Sequence, residues 1–319
     1  MNNSILVVVL ASAVAYGTPL LYAALGELLS ERAGVLNLGV EGMMLVGAVT
    51  GFWAVQHVGG AGAVSLVVAL LVAALGGVVV ATIHAFLSIT MRANQIVSGL
   101  ALSIFAGAAG LSSYLGNDLE LGNQPARHAF QTIDVFGLAD TPVVGPILFG
   151  QTALVYGSWA TVLLVWLYLS RTRVGLNARA VGESPAAADA VGINVTLYRY
   201  GHVLAGGALA GVGGACFSLS ITPQWVDGLT SGAGWIAIAL VIFAFWRPEL
   251  CLVGAYFFGA FQALPFTLQA RGVTLAPELF QALPYALTVI VLALLSSKGA
   301  RRRLGAPGAL GIPYVREER

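Results

Sequence analysis

The stretch Glu31–Met44, ERAGVLNLGVEGMM, decides how this chain is read. It sets two carboxylates, an arginine, an asparagine and three glycines between two strongly apolar runs. In a soluble domain it would be an ordinary loop. Its surroundings exclude that reading: the 319 residues are 58% hydrophobic and only 9% charged, whereas soluble domains carry about 25% charged residues. With a mean hydropathy of +0.87, the chain has too few polar side chains to cover a water-facing surface. A polytopic membrane protein remains. Polar groups inside such a protein face other protein groups or water, because a charge at mid-bilayer costs about 2.5–3.5 kcal/mol on insertion scales.

Working outward, a span needs about 20 apolar residues. Candidate helices cover roughly 4–25, 38–56, 63–90, 95–114, 148–170, 199–220, 231–246, 250–268 and 280–297. The expected architecture is therefore all-α, with about nine transmembrane helices. Placing the N-terminus outside and the C-terminus in the cytoplasm puts all but Arg127 and Arg271 of the 15 basic residues on the cytoplasmic side. That is the asymmetry of the positive-inside rule. Residues 1–299 read as one transmembrane domain, with an outer connection at about 114–147 and a cytoplasmic one at about 171–198. Residues 300–319 read as a basic cytoplasmic tail beside the KGARRR anchor. The start, MNNSILVVVLASAV, has no basic segment before its apolar run, so no cleaved signal is expected. Cys216 and Cys251 lie in apolar runs and read as buried thiols.

The cytoplasmic connection contains ESPAAADAVG, a full set of helix punctuation. Ser184 suits an N-cap, Pro185 the first helical position, and Gly192 a left-handed stop. About seven residues make a marginal helix in water, so something must hold it. Ala187, Ala190 and Val191 give one face of methyl groups, while Glu183 and Asp189 stay polar. Such a helix either fits a groove on another protein or packs as a turn on its own domain.

Two motifs resemble those of a known family. GLNARAVGESPAAADAVGINV, followed by GGALAGVGGA, resembles the coupling segment of ABC-importer permeases of the branched-chain amino acid, ribose and nucleoside branch. GELLSERAGVLNLGVEGMMLVGA resembles the signature of the nucleoside, or simple sugar, subgroup, and NQIVSGLAL and PYALTVIVLAL match its pattern. The resemblance implies the ABC-importer permease fold in a bacterial or archaeal cell membrane. It also implies pairing with a second, usually non-identical permease subunit, and an extracytoplasmic binding lipoprotein that delivers a small-molecule substrate. Cytoplasmic ATPase domains, which use ATP and Mg, would dock on the segment formed by Glu183, Ser184, Pro185, Ala187, Ala188, Asp189, Ala190 and Gly192. A bulky charge at Ala188 is then expected to uncouple ATP use from uptake while leaving membrane insertion intact. Sugar-type relatives have one more N-terminal helix, and this chain begins at what would be their second.

The chain itself is expected to bind no cofactor and no nucleic acid. Lys298, the sole lysine, sits in SSKGARRR rather than in a phosphate-binding loop. No histidine has a second ligand at metal-binding spacing, so no metal site is expected. Asn37 and Glu41, spaced i, i+4, would share a face of the second helix and either face the substrate pathway or brace its inner gate. Alternatively, Glu41 pairs with Arg32 or Arg92 as a structural lock. Glu31 and Arg32 need no role beyond the interface. Asn94, Gln95 and Ser98 open the fourth span as pathway or interhelical hydrogen-bonding groups. Trp235, Gln262 and Tyr285 would stack on or hydrogen-bond a nucleobase or sugar, or else serve as packing and belt residues. Gly206, Ala210 and Gly214 form a small-residue packing stripe. Two rival functions stay open: an ion-coupled secondary transporter using Glu41, and an intramembrane enzyme, for which no hydrolase motif appears.

Overall fold

A computed structural model describes residues 5–122, 124–269 and 305–316, with isolated positions at 282, 286, 289 and 290. In chain order the helices are α1 (Ile5–Arg32), α2 (Val40–His57), α3 (Gly62–Ala85), α4 (Gln95–Phe105) and α5 (Leu111–Asp118). They continue as α6 (Ala153–Arg171), α7 (Arg173–Glu183), α8 (Pro185–Ala190), α9 (Val195–Cys216), α10 (Ala233–Phe243) and α11 (Pro248–Gln269). The helices α3 and α9 run on through π-helical turns, Phe86–Thr90 and Phe217–Ile221. Two short strands, β1 (Thr132–Asp134) and β2 (Gly150–Thr152), pair antiparallel with Ile133 opposite Gln151.

Glycine organises the packing. Helix α9 meets three neighbours at backbone distance: Gly206 lies on Gly26 of α1, Gly207 on Gly77 of α3, and Gly214 on the Met44 carbonyl of α2. Side chains larger than hydrogen would separate these helices. In a bilayer, where apolar contact alone does not favour association between helices, such close approach supplies the packing attraction. The predicted stripe of Gly206, Ala210 and Gly214 thus lies along the contact surface of α9, with Ala210 only 1% exposed. Around this axle the main core joins α1, α2, α10 and α11 through residues such as Leu25, Met43, Leu240 and Phe258. Cys216 and Cys251 are both free and buried.

Among the described residues, five segments are long and apolar enough to cross a membrane: Ile5–Arg32, Gly62–Thr90, Ala153–Arg171, Val195–Ile221 and Pro248–Gln269. Two expected spans are shorter than their sequence suggests. The 95–114 candidate ends as a helix at Phe105 and resumes as α5 only at Leu111, and the 231–246 candidate reduces to the 11 residues of α10. Eleven residues rise about 16 Å, half the thickness of a hydrocarbon core of about 30 Å. The 280–297 candidate lies outside the described residues apart from its isolated positions. The connection expected as a single loop with one short helix is two helices, α7 and α8. Thr172 caps the first, its Oγ1 accepting from the Gly175 N–H at 2.9 Å.

Candidate functional site: the α1–α2 junction and the docking segment

Within ERAGVLNLGVEGMM, residues 33–39 form a non-helical crossing between α1 and α2 whose backbone is satisfied by side chains from three helices, α1, α3 and α4. The Asn37 N–H donates to Glu27 Oε1 of α1 at 2.9 Å, and the Leu36 N–H to Gln95 Oε1 of α4 at 2.8 Å. His84 Nε2 of α3 donates to the Leu36 carbonyl at 3.1 Å, while its Nδ1 faces Ser98 Oγ at 3.1 Å. Ser103 Oγ donates to the Leu38 carbonyl at 2.6 Å. Irregular backbone survives within a membrane protein only where such partners replace water. That is the reason for polar residues here. Gly99 completes the fit, since a Cβ there would lie 2.6 Å from the Leu38 nitrogen.

Glu41 ties the junction to α10. Its Oε1 accepts from Thr230 Oγ1 at 2.6 Å and from the Gly232 N–H at 2.9 Å, and Oε2 accepts from the Gly234 N–H at 2.7 Å. Gly232 is the left-handed N-cap of α10, with φ 80°. A carboxylate at a helix N-terminus meets free N–H groups and the positive end of the helix dipole. The close approach requires Gly234, where a Cβ would sit 2.5 Å from the Glu41 Cα.

The far end of α10 is clamped to α1. Phe245 and Trp246 hold left-handed φ of 52° and 54°, a disfavoured conformation for bulky residues. The Trp246 indole N–H donates to Glu31 Oε2. Arg32 donates to the Trp246 carbonyl from Nη2 at 2.8 Å and from Nε at 3.1 Å. Helix α10 thus runs from Glu41 of α2 at its start to Arg32 of α1 at its end.

These contacts correct several sequence expectations. Asn37 precedes α2, so it shares no helical face with Glu41; its Oδ1 accepts from the Gly39 N–H at 2.9 Å, a local turn that positions the start of α2. Glu41, expected either to face the pathway or to pair with Arg32 or Arg92, bonds to Thr230, Gly232 and Gly234 at the start of α10. Glu31 is 1% exposed, bound to Trp246 instead of resting at the interface. Asn94 is the exposed N-cap of α4, accepting from the Ile96 and Val97 N–H groups at 3.0 and 3.1 Å. It therefore does not join Ser98, which is buried against His84. Asn37, Glu41, Gln95 and Ser98 converge on the junction. Trp235 follows it, half-buried in α10, and Gln262 stands half-buried on α11, apart from the cluster. Tyr285 lies outside the described residues. Glu27, His84, Ser103 and Trp246 went unassigned in the sequence. The one available signal was ELLSE, which places Glu27 and Glu31 a helical turn apart in an apolar run.

The 183–192 segment follows its punctuation. Ser184 Oγ accepts from the Ala187 N–H at 3.4 Å, Pro185 opens α8, and Gly192 closes it at φ 87°. Ala188, however, is buried against Val181 and Val195. The outward face is Ala187, Ala190 and Val191, the last 76% exposed. A charge at Ala188 would therefore disrupt the seating of α8 itself.

Residues 9–292 match the family model described as "Branched-chain amino acid transport system / permease component". The chain belongs to this permease family. The permease is 40% identical to the putative glucose ABC transporter permease protein TsgC13 of Haloferax volcanii, covering 97% of each chain. It is 35% identical to the nucleoside ABC transporter permease protein NupC of Lactococcus lactis, covering 98% of each. It is 34% identical to the guanosine ABC transporter permease protein NupQ of Bacillus subtilis, covering 99% of this chain and 98% of that one. Second permeases from two of these organisms match less closely: TsgB13 at 28% and NupP at 24%, each over 70% of this chain. No solved structure matches. With its apolar helices, the permease is a multi-pass plasma-membrane protein of an ABC transporter.

Proposed function

We propose that the permease is one membrane subunit of an ATP-driven importer for nucleosides or related simple sugars. The observation that carries this reading is near-full-length likeness to relatives named for nucleoside, guanosine and glucose transport. In this reading the arginine-rich end of the molecule, where Arg32, Arg179 and Arg247 line one cavity, faces the cytoplasm. The N-terminus is outside, and the full complement is about nine spans, including 280–297. A second, non-identical permease completes the pathway; the weaker match to TsgB13 and NupP supports a distinct partner rather than a second copy. ATPase subunits bind ATP and Mg and grip α8 through Ala187, Ala190 and Val191. A lipoprotein presents substrate from outside.

The residues of this chain contribute geometry. Closure of the ATPase pair displaces α8, and with it α7 and the start of α9. The Glu41 lock then transmits movement between the α1–α2 junction and α10, changing which side the pathway opens to. Asn37, Gln95, Ser98, Trp235, Gln262 and Tyr285 remain the candidates for lining it as those contacts rearrange. Proteoliposomes holding both permeases, the ATPase and the lipoprotein test the proposal with labelled guanosine, uridine and glucose. Uptake that needs both ATP and the lipoprotein is expected. Uptake by this chain alone, driven by an ion gradient, would contradict it.

A further inference from the structure

The C-terminal segment 305–316 folds back over α7 and α8. The Ala309 N–H donates to the Gly182 carbonyl at 2.9 Å, and the Gly308 N–H donates to Glu183 Oε2 at 3.3 Å, which fixes the segment on the end of α7. The Tyr314 ring packs on the cluster of Val181, Ala188 and Val195 that seats α8. Its hydroxyl donates to Asp189 Oδ2 at 2.8 Å, and Arg316 Nε lies 3.2 Å from the same oxygen. On the other side Arg199 Nη1 of α9 donates to the Ile312 carbonyl at 3.1 Å. Gly34 of the α1–α2 junction completes the bridge: a Cβ there would lie 3.3 Å from Arg199 Nη2 and from Gly182, and 3.4 Å from the Ala309 carbonyl.

We propose that segment 305–316 is a clasp that holds α8 in register with α9 and the α1–α2 junction, with Tyr314 as its positioning residue. A six-residue helix has too few internal hydrogen bonds to keep its own place. Its underside is closed by Ile193, Tyr198 and Tyr314, the last supplied by the C-terminus. The Arg316 side chain is 73% exposed, and solvent-exposed pairs contribute little, so the weight falls on Tyr314. Without the clasp, a push on α8 is absorbed by local movement and does not reach the junction.

This inference rests on the importer reading, because the push comes from an ATPase. The test uses the full reconstituted complex carrying Tyr314→Ala, with Tyr314→Phe as the variant that keeps the ring. Two quantities are read: ATP hydrolysed per substrate imported, and hydrogen exchange of amides 185–193. The expected result for Tyr314→Ala is about a five-fold rise in ATP per substrate and at least ten-fold faster exchange, with Tyr314→Phe between it and the unaltered protein. If Tyr314→Ala fails to assemble, the Tyr314→Phe comparison decides by the same two readings. Unchanged exchange would overturn the clasp. Faster exchange with an unchanged ratio would overturn its role in transmission. Import by the unaltered complex without ATP use would instead overturn the importer reading, with exchange still reporting on the clasp.

Discussion

Glu41 illustrates how a carboxylate is held inside this molecule without an arginine. Both oxygens accept, three donors converge on them, and two of those donors are N–H groups at the start of α10. Glu41→Gln exchanges an acceptor for an NH₂ that faces the Gly234 or Gly232 N–H. Leaving a buried polar group unsatisfied costs about 1–3 kcal/mol. The variant should therefore melt several degrees lower in detergent and, because the lock transmits movement, lose several-fold in uptake per assembled complex. Normal stability with abolished uptake would instead make Glu41 a pathway group. Trp246→Phe makes a parallel case, since it keeps an aromatic ring but removes the donor to Glu31, a residue 1% exposed. A loss of about 1–3 kcal/mol is expected there as well, read as a lower denaturation midpoint. An unchanged midpoint would mean that the indole bond contributes nothing.

At the scale of elements, α9 carries its own control. A Cβ at Gly211 would run into the backbone of Ala73 and Gly77, whereas nothing lies within 4 Å of a Cβ built at Gly201. Gly211→Ala should push α3 away and destabilise the fold by about 1–3 kcal/mol, as overpacking does. Gly201→Ala should be neutral or stabilising by about 0.5–1 kcal/mol, because alanine restricts the unfolded chain more than glycine does. Thermal unfolding of the two variants side by side checks this; equal shifts would show that α9 is not the packing axle. The same helix marks what the sequence revealed. Its small-residue spacing was legible because hydrogen-sized side chains leave a periodic trace, and α8 was legible because Ser184, Pro185 and Gly192 each have one local use. Helix α7 was missed because RVGLNARAVGE lacks an apolar run, and its order comes from packing on α6 and the C-terminal segment. The half-length of α10 was missed because GWIAIALVIF is apolar throughout, so hydropathy alone gives no sign of where in the membrane it starts. The Glu41–Gly234 pairing joins residues 193 apart in sequence, and no local pattern encodes such a contact.

At the scale of the whole molecule, the proposed importer is pushed from one end. The docking segment, the clasp and the arginine-rich surface lie together, and the α1–α2 junction connects that end to the start of α10 in the interior. Burial separates two substitutions that look alike in sequence. Ala188→Glu places a charge beneath α8, against Val181 and Val195, and should lower the yield of assembled complex. Val191→Glu alters only an exposed contact and should leave the isolated subunit intact while weakening co-purification of the ATPase by ten-fold or more. The most direct measurement follows from the same geometry. Cys216 and Cys251 are buried, so Val191→Cys supplies the exposed thiol for short-range cross-linking in the assembled complex. The account predicts a covalent product between this thiol and the ATPase subunit, formed from the cytoplasmic face. A product with the lipoprotein, or labelling by a membrane-impermeant maleimide applied outside intact cells, would contradict it.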